Sequence, residues 1–197
     1  MKSTTLGSPT LAAELWPSTD TNRWARNTAL VIGGSLLLWV TAKAQIPFWP
    51  VPITMQTFAV LLLGAAYGWR LGGAAVLLYL AEGAVGLPVF AKGGGFAYLY
   101  GFTGGYLLGF LLAALAVGWL AQRGWDRSPV TTVAAMVIGE VIIFGLGVAW
   151  LANLIGLEKA VAAGVTPFLW GEAAKIALAT ALLPATWSIL KNNGNRG

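Results

Sequence analysis

VTPFLWGEAAKIALATALLPATWSIL, running from Val165 to Leu190, is a membrane-length apolar stretch with an acid and a base inside it, Glu172 and Lys175. About 20 residues at 1.5 Å each cross a hydrocarbon core of roughly 30 Å, so this run predicts a spanning helix. An ionised group at membrane depth costs about 2.5 to 3.5 kcal/mol on insertion scales, so each needs a pairing or functional reason to be there. Three residues apart, the two side chains share a helix face and reach either one small molecule or each other.

The rest of the chain agrees with that solvent. Of its 197 residues, 57% are hydrophobic and 10% charged, with a mean hydropathy of +0.74, against about 25% charged in soluble domains. The chain is read as an all-α integral membrane protein of the cell's inner (cytoplasmic) membrane, crossing it several times. It has no cysteine and no histidine. That removes disulfides, thiolate metal sites and thiol nucleophiles, together with the commonest general base and metal ligand. No catalytic residue, metal or cofactor is expected. The net charge of +5 is explained better by membrane orientation than by nucleic acid, because the basic residues lie mainly in loops and tails.

Residues 1–22 are rich in Ser, Thr and Pro, without an apolar core or a small-residue cleavage site. They read as a flexible or surface-lying cytoplasmic tail, not a signal peptide. A membrane domain over 23–191 and a cytoplasmic tail over 192–197 follow. Apolar runs predict a bundle of six helices near Trp24–Lys43, Thr54–Tyr67, Leu71–Val85, Thr103–Gln122, Pro129–Ile155 and Val165–Leu190. The second and third are short, and WRLGG (69–73) between them serves equally as a kink in one long element. Six crossings put Lys2, Arg23, Arg26, Arg70, Arg123, Arg127, Lys191 and Arg196 on one side, and only Lys43, Lys92 and Lys159 on the other. Under the positive-inside rule the first side is cytoplasmic and holds both termini. A five-helix count fits this asymmetry less well.

The outer connections are long and apolar. AQIPFWPVPIT (Ala44–Thr54) contains three prolines that cannot simply continue a helix, and GLPVFAKGGGFAYLYGF (Gly86–Phe102) has glycines at 93, 94 and 95 that allow close backbone approach. Such segments suit open water poorly, so they are expected to fold back as a cap over the outer mouth of the bundle, lining a cavity.

Three stretches together, AQIPFWPVPITMQTFAVLLLGAAYG (Ala44–Gly68), GLPVFAKGGG (Gly86–Gly95) and GFTGGYLLGF (Gly101–Phe110), resemble the BioY family, the biotin-specific S components of energy-coupling-factor (ECF) transporters. The resemblance runs from about Arg23 to Leu190. It implies a six-helix fold that captures biotin beneath the two outer loops. It also implies partners, a transmembrane coupling subunit and two ATPase subunits. No GxxxxGK[ST] motif occurs here, so any P-loop nucleotide site belongs to a partner. Family members carry an acid three positions before a lysine in the last helix as polar contacts to biotin, usually an aspartate; the matching residues are Glu172 and Lys175. The A-x-x-x-A docking face for the coupling subunit matches Ala25 and Ala29, which with Gly33 form a ladder of small residues that also suits internal packing.

The chemistry of the ligand agrees. Lys175 can donate to the valerate carboxylate or the ureido carbonyl of biotin, and Glu172 can accept from ureido N–H groups. With a helix starting near Val165, both lie about 10 to 15 Å below its outer end. Further candidates each have a plainer role beside the functional one. Gln56 is a ligand donor, a helix cap or an interhelical bond. Glu140 and Glu82 line the cavity or simply reach an interface. Phe90, Tyr98, Tyr106 and Trp170 stack on the bicyclic ring or only pack. Lys92 attracts an anionic substrate or is an ordinary loop lysine. The competing functional class is a membrane-embedded enzyme using Glu172 and Lys175 as an acid/base pair.

Overall fold

Backbone polar groups in lipid are satisfied within helices, and helices make up most of the chain. The structure is a computed structural model that describes residues 8–19 and 21–194; Lys2, Arg196 and the outermost parts of both predicted tails lie outside the described residues. In order the elements are α1 (Leu11–Leu15), α2 (Arg23–Lys43), β1 (Gln45–Ile46), β2 (Ile53–Thr54), α3 (Gln56–Ala84), α4 (Gly104–Ala121), α5 (Pro129–Ile155), α6 (Leu157–Gly164) and α7 (Leu169–Gly194), with 3-10 turns at Phe96–Tyr100 and Thr166–Phe168. Strands β1 and β2 form a small antiparallel hairpin in which Gln45 faces Thr54. Five stretches among the described residues are long and apolar enough to cross a membrane: Arg23–Lys43, Gln56–Ala84, Gly104–Ala121, Pro129–Ile155 and Leu157–Asn192.

Helix α3 is folded in two. At Gly68 the backbone takes φ +78° and ψ 171°, which a residue with a Cβ rarely adopts, and the chain reverses. On a straight helix Gln56 and Tyr79 would stand about 35 Å apart; instead the Gln56 side-chain amide donates to the Tyr79 hydroxyl at 2.7 Å. Glycines let the two limbs touch, and a Cβ added to Gly72 would lie 3.0 Å from the Gly64 Cα. Small residues serve the same purpose elsewhere, with Gly64 against the Ala114 backbone, Gly109 against Ile143 and Gly118 against Trp69, the close approach by which membrane helices gain packing energy.

This reversal defines two ends. The cap end gathers the start and finish of α3, the hairpin, the 85–103 connection and the first turn of α7. The arginine end gathers Gly68, the 122–128 connection, the start of α2 and the finish of α7. There Arg70 stacks over Trp69 at 5.0 Å, Arg123 over Trp119 at 3.1 Å and Arg127 over Trp187 at 4.2 Å. Arg and Trp are the side chains that suit a membrane–water boundary, and each stack adds a cation–π attraction.

Three local features depart from the sequence expectation. The described part of the N-terminal tail is pinned down: Thr10 caps α1, Leu11 and Ala12 are buried, the Ser8 N–H donates to the Gln122 carbonyl at 2.7 Å, and Arg127 donates to Pro9 O at 3.3 Å. Two apolar residues in a Ser/Thr/Pro-rich run make no periodic signal. Helix α6 occupies what reads as an outer loop around Lys159. The last long helix starts at Leu169, not Val165, because Pro167 sits in a 3-10 turn, and Glu172 thus falls in its first turn instead of deep inside it.

Candidate ligand-binding site

Glu172 and Lys175 project from the first two turns of α7 toward the start of α3. The Thr57 hydroxyl donates to Glu172 Oε2 at 2.7 Å. Lys175 Nζ donates to Glu172 Oε1 at 2.9 Å, to Thr57 Oγ1 at 2.9 Å and to the Thr54 carbonyl at 2.6 Å. All three ammonium protons therefore have acceptors, and the three side chains close a ring of hydrogen bonds. Both charged residues are buried, which such a pair tolerates only with this degree of satisfaction. Of the two arrangements open to the pair, the structure has mutual pairing.

Beside the ring is a cavity of about 40 Å³. Its walls are Val51, Pro52 and Thr54 before α3; Phe90, Ala91 and Tyr98 from the 85–103 connection; and Gln56, Thr57, Thr103, Tyr106, Leu107, Phe110, Phe144, Phe168 and Glu172. Pockets for drug-sized ligands hold roughly 300–1,000 Å³, so a bicyclic ligand enters only as the wall side chains move apart. Several of those walls are aromatic rings seated on glycine. A Cβ on Gly83 would overlap the Phe90 ring, and one on Gly147 the Tyr106 ring. Phe90 packs on Tyr98 at 4.9 Å and edge-on to Tyr79 at 5.4 Å, and Tyr106 donates to the Gly164 carbonyl at 2.9 Å.

The two loop segments are laced to each other and to the bundle by side chains reaching backbone carbonyls. Lys43 donates to Phe90 O at 2.7 Å, Gln45 to Ala91 O at 2.9 Å, Lys92 to Phe48 O at 3.2 Å and Tyr79 to Val89 O at 3.2 Å. Lys92 is thus a strut between loops. Across the Thr54–Lys175 bond an open cavity of about 550 Å³ lies between the hairpin and α7, bordered by Ile46, Met55, Gly171, Ala174, Lys175 and Leu178.

Gln56, Glu172, Phe90, Tyr98 and Tyr106 meet around the main cavity, whereas Lys175 stands one hydrogen bond behind its wall. Glu140 does not reach the cavity: it is buried on α5 behind Lys175, beside the Glu172 carboxyl and with no N–H or hydroxyl donor on either oxygen among the described residues. Glu82 accepts from the Ser35 hydroxyl and joins α3 to α2. Trp170 is 88% exposed and outside the site; two residues from both Phe168 and Glu172, it points to the opposite face of its helix. The sequence reading misses Thr57, Phe110, Phe144 and Phe168. Thr57 carried a signal, as a hydroxyl followed by the apolar run FAVLLLG; the three phenylalanines carried none that separates them from core.

Ala25 and Ala29 are exposed on α2. With Trp16, Pro17, Thr19 and Asn22 they border an open groove of about 410 Å³ at the arginine end.

Comparison with known families matches residues 10–192 to the BioY family. The biotin transporter BioY of Thermotoga maritima is 40% identical over 154 residues, covering 77% of this chain and 86% of that protein. The probable biotin transporter BioY of Pyrococcus horikoshii is 36% identical over 156 residues, covering 79% and 92%. Among solved structures, a crystal structure described as the S-component for biotin from an ECF-type ABC transporter superposes with a TM-score of 0.72. It is 21% identical, with 87% of this chain and 95% of that chain covered, a likeness of fold.

Proposed function

The chain belongs to the BioY family, and from that premise we propose that it captures biotin at the outer face of the membrane and takes it up as the substrate-specific subunit of an ECF-type transporter. The observation that carries the reading is the Glu172–Thr57–Lys175 ring set against an aromatic cavity under two laced loops. Its chemistry suits this ligand. Ureido N–H groups are donors for Glu172 Oε2, the ureido carbonyl is an acceptor for the Gln56 amide, and the apolar bicyclic ring fits between Phe90, Tyr98 and Tyr106. The valerate carboxylate is the natural partner of Lys175, which gives up one of its present acceptors to meet it.

The two limbs of α3 are read as two crossings, making six in all, with the arginine end and both termini in the cytoplasm of a cell whose inner membrane holds the protein. Basic residues concentrated at that end, and their stacking on tryptophan, support this orientation. A coupling subunit docks on Ala25 and Ala29, and ATPase subunits supply nucleotide hydrolysis. The relatives are transporters, and this chain likewise moves its ligand unchanged; it is not an enzyme.

Calorimetric titration of the purified chain with biotin, desthiobiotin and biotin amide tests the reading. Biotin should bind the wild type, with Lys175→Ala weakening it about 100-fold, the scale of a charged hydrogen bond lost from a buried site. Biotin amide binding as well as biotin would remove the Lys175–carboxylate contact. A wild type that ignores biotin would remove the function.

A further inference from the structure

Glu140 is a buried acid in the membrane domain to which the proposed site gives no role. It lies in the middle of α5, only 7% exposed; among the described residues no N–H or hydroxyl donor reaches either carboxyl oxygen, and the group it adjoins is the Glu172 carboxyl. Buried carboxyls are ordinarily paired, and an unpaired one in a membrane interior is costly. The small space before it is bordered by Phe58 and Leu61 of α3, Met136 of α5, Ile176 and Ala179 of α7, and Lys175. The charged groups that act on it are Glu172 and Lys175, both from α7; α3 brings none to that space. Two carboxyls therefore share one ammonium group, which at present gives its protons to Glu172, Thr57 and Thr54.

A ligand whose N–H groups bind Glu172 competes with Lys175 for that carboxylate. Turned away from Glu172 on its flexible four-carbon stem, the lysine meets the ligand carboxylate on one side, and the anion of the protein left to it on the other side is Glu140. We propose that Glu140 is the second counter-ion of Lys175, receiving the ammonium group when ligand engages Glu172 and Thr57, and so positioning the lysine in the bound site without touching the ligand. This rests on the ligand-capture reading above and assigns the buried acid behind it.

A double-mutant cycle needing no ligand is the first test. In thermal melts of the detergent-purified chain, Glu140→Gln and Glu172→Gln should each stay within about 5 °C of wild type, because the remaining carboxyl still serves Lys175. The double variant leaves the ammonium group without an anion and should fall below the sum of the singles by on the order of 10 °C. Adding Lys175→Met should restore it, even if the double variant does not fold. An additive double, or a triple that is not rescued, would overturn the proposal. With biotin as the probe, Glu140→Gln should bind about tenfold or more weakly at unchanged melting temperature, and Glu140→Asp should recover part of that loss. Wild-type affinity in Glu140→Gln also overturns it. A wild-type chain that ignores biotin strikes down the proposed function instead, and the ligand-free cycle then decides alone whether Glu140 serves Lys175.

Discussion

At the arginine end, Asp126 is 2% exposed and accepts from the Trp187 indole N–H at 2.6 Å, while Arg127 lies across the same indole at 4.2 Å. At the cap end, Glu172 accepts from Thr57 and Lys175 among phenylalanine and tyrosine rings. Acid, cation and aromatic ring recur, but their settings differ. At that end the chain is locked backbone to backbone: Gly118 meets the backbone of Gly68 and Trp69, and the Ser8 N–H donates to the Gln122 carbonyl. Around Glu172 the loops keep a few backbone bonds, such as Gly95 N–H to the Gly83 carbonyl, but are tied to each other by lysine, glutamine and tyrosine side chains, a cavity remains, and the Glu140 carboxyl lies behind. Side-chain bonds exchange partners on rotamer timescales, whereas backbone interlocks do not. The same ingredients therefore hold one end rigid and leave the other able to open.

The most severe way to test that contrast is to separate the interlocked backbones. A Cβ at Gly118 would collide with the Trp69 N–H and the Gly68 carbonyl carbon, which cannot rotate aside. Gly118→Val should cost about 3 kcal/mol and lower the melting temperature by on the order of 10 °C. Calorimetric titration of the chain that remains folded should give an unchanged biotin affinity. A weakened affinity would join the two ends that the structure keeps apart.

Thr57→Val at the cap end should act the other way. It keeps the shape of the side chain but deletes the donor to Glu172 and an acceptor of Lys175, roughly 2 kcal/mol of hydrogen bonding to charged groups. Biotin affinity should fall about 30-fold, while the melting temperature moves by only a few degrees. A large loss of stability with intact affinity would make the ring a structural brace.

Asp126→Asn has a smaller effect, and it is read in the pH dependence. Burial raises the Asp126 carboxyl above its ordinary range, against the lowering effect of the Trp187 N–H and of Arg127. In the unfolded chain an aspartate ionises near pH 4, and the folded state holds the proton longer. Stability from this group is thus complete below that pH and declines as pH rises through the raised folded value. Asparagine still offers an oxygen to the indole and removes the decline. Melts across pH 4 to 8 should show the variant level with wild type at the acid end and at or above it at the neutral end, by within about 1 kcal/mol. A variant that melts lower at neutral pH would show the charge to be stabilising.

How far these regions were legible in the sequence follows from what each signal averages over. Spans such as Pro129–Ile155 are read directly, because a long apolar run has one explanation in lipid. The reversal at Gly68 is half legible: WRLGG marks a break, but kink and hairpin look alike until Gln56 is found beside Tyr79. Helix α1 stays hidden because Leu11 and Ala12 are too few to make a period. In the site, Glu172 and Lys175 are visible as charges where charge is expensive and their pairing is one of two readable arrangements, but the ring that Thr57 closes is invisible, since Thr57 comes from another helix. Trp170 misleads for a geometric reason: closeness in sequence to Glu172 is not closeness on a helix, where a step of two residues crosses to the far side.

The gentlest perturbation tests whether the two ends are separable at all. Ala25 and Ala29 lie exposed near the start of α2, beside the open groove bordered by Trp16, and the next small residue on that face, Gly33, has open space where a Cβ would be. A tryptophan in place of Ala29 therefore enters unoccupied space and touches neither the cap loops nor α7. Its melting temperature should stay within about 2 °C of wild type, the range of a surface change, and its biotin affinity should hold within about twofold. Co-expressed coupling subunit, proposed to dock on this small-residue face by close helix approach, should no longer co-purify. If biotin affinity instead dropped tenfold, α2 would be transmitting strain from the arginine end to the cap through Lys43 and Phe90, and the lock and the mouth would have to be treated as one mechanical unit.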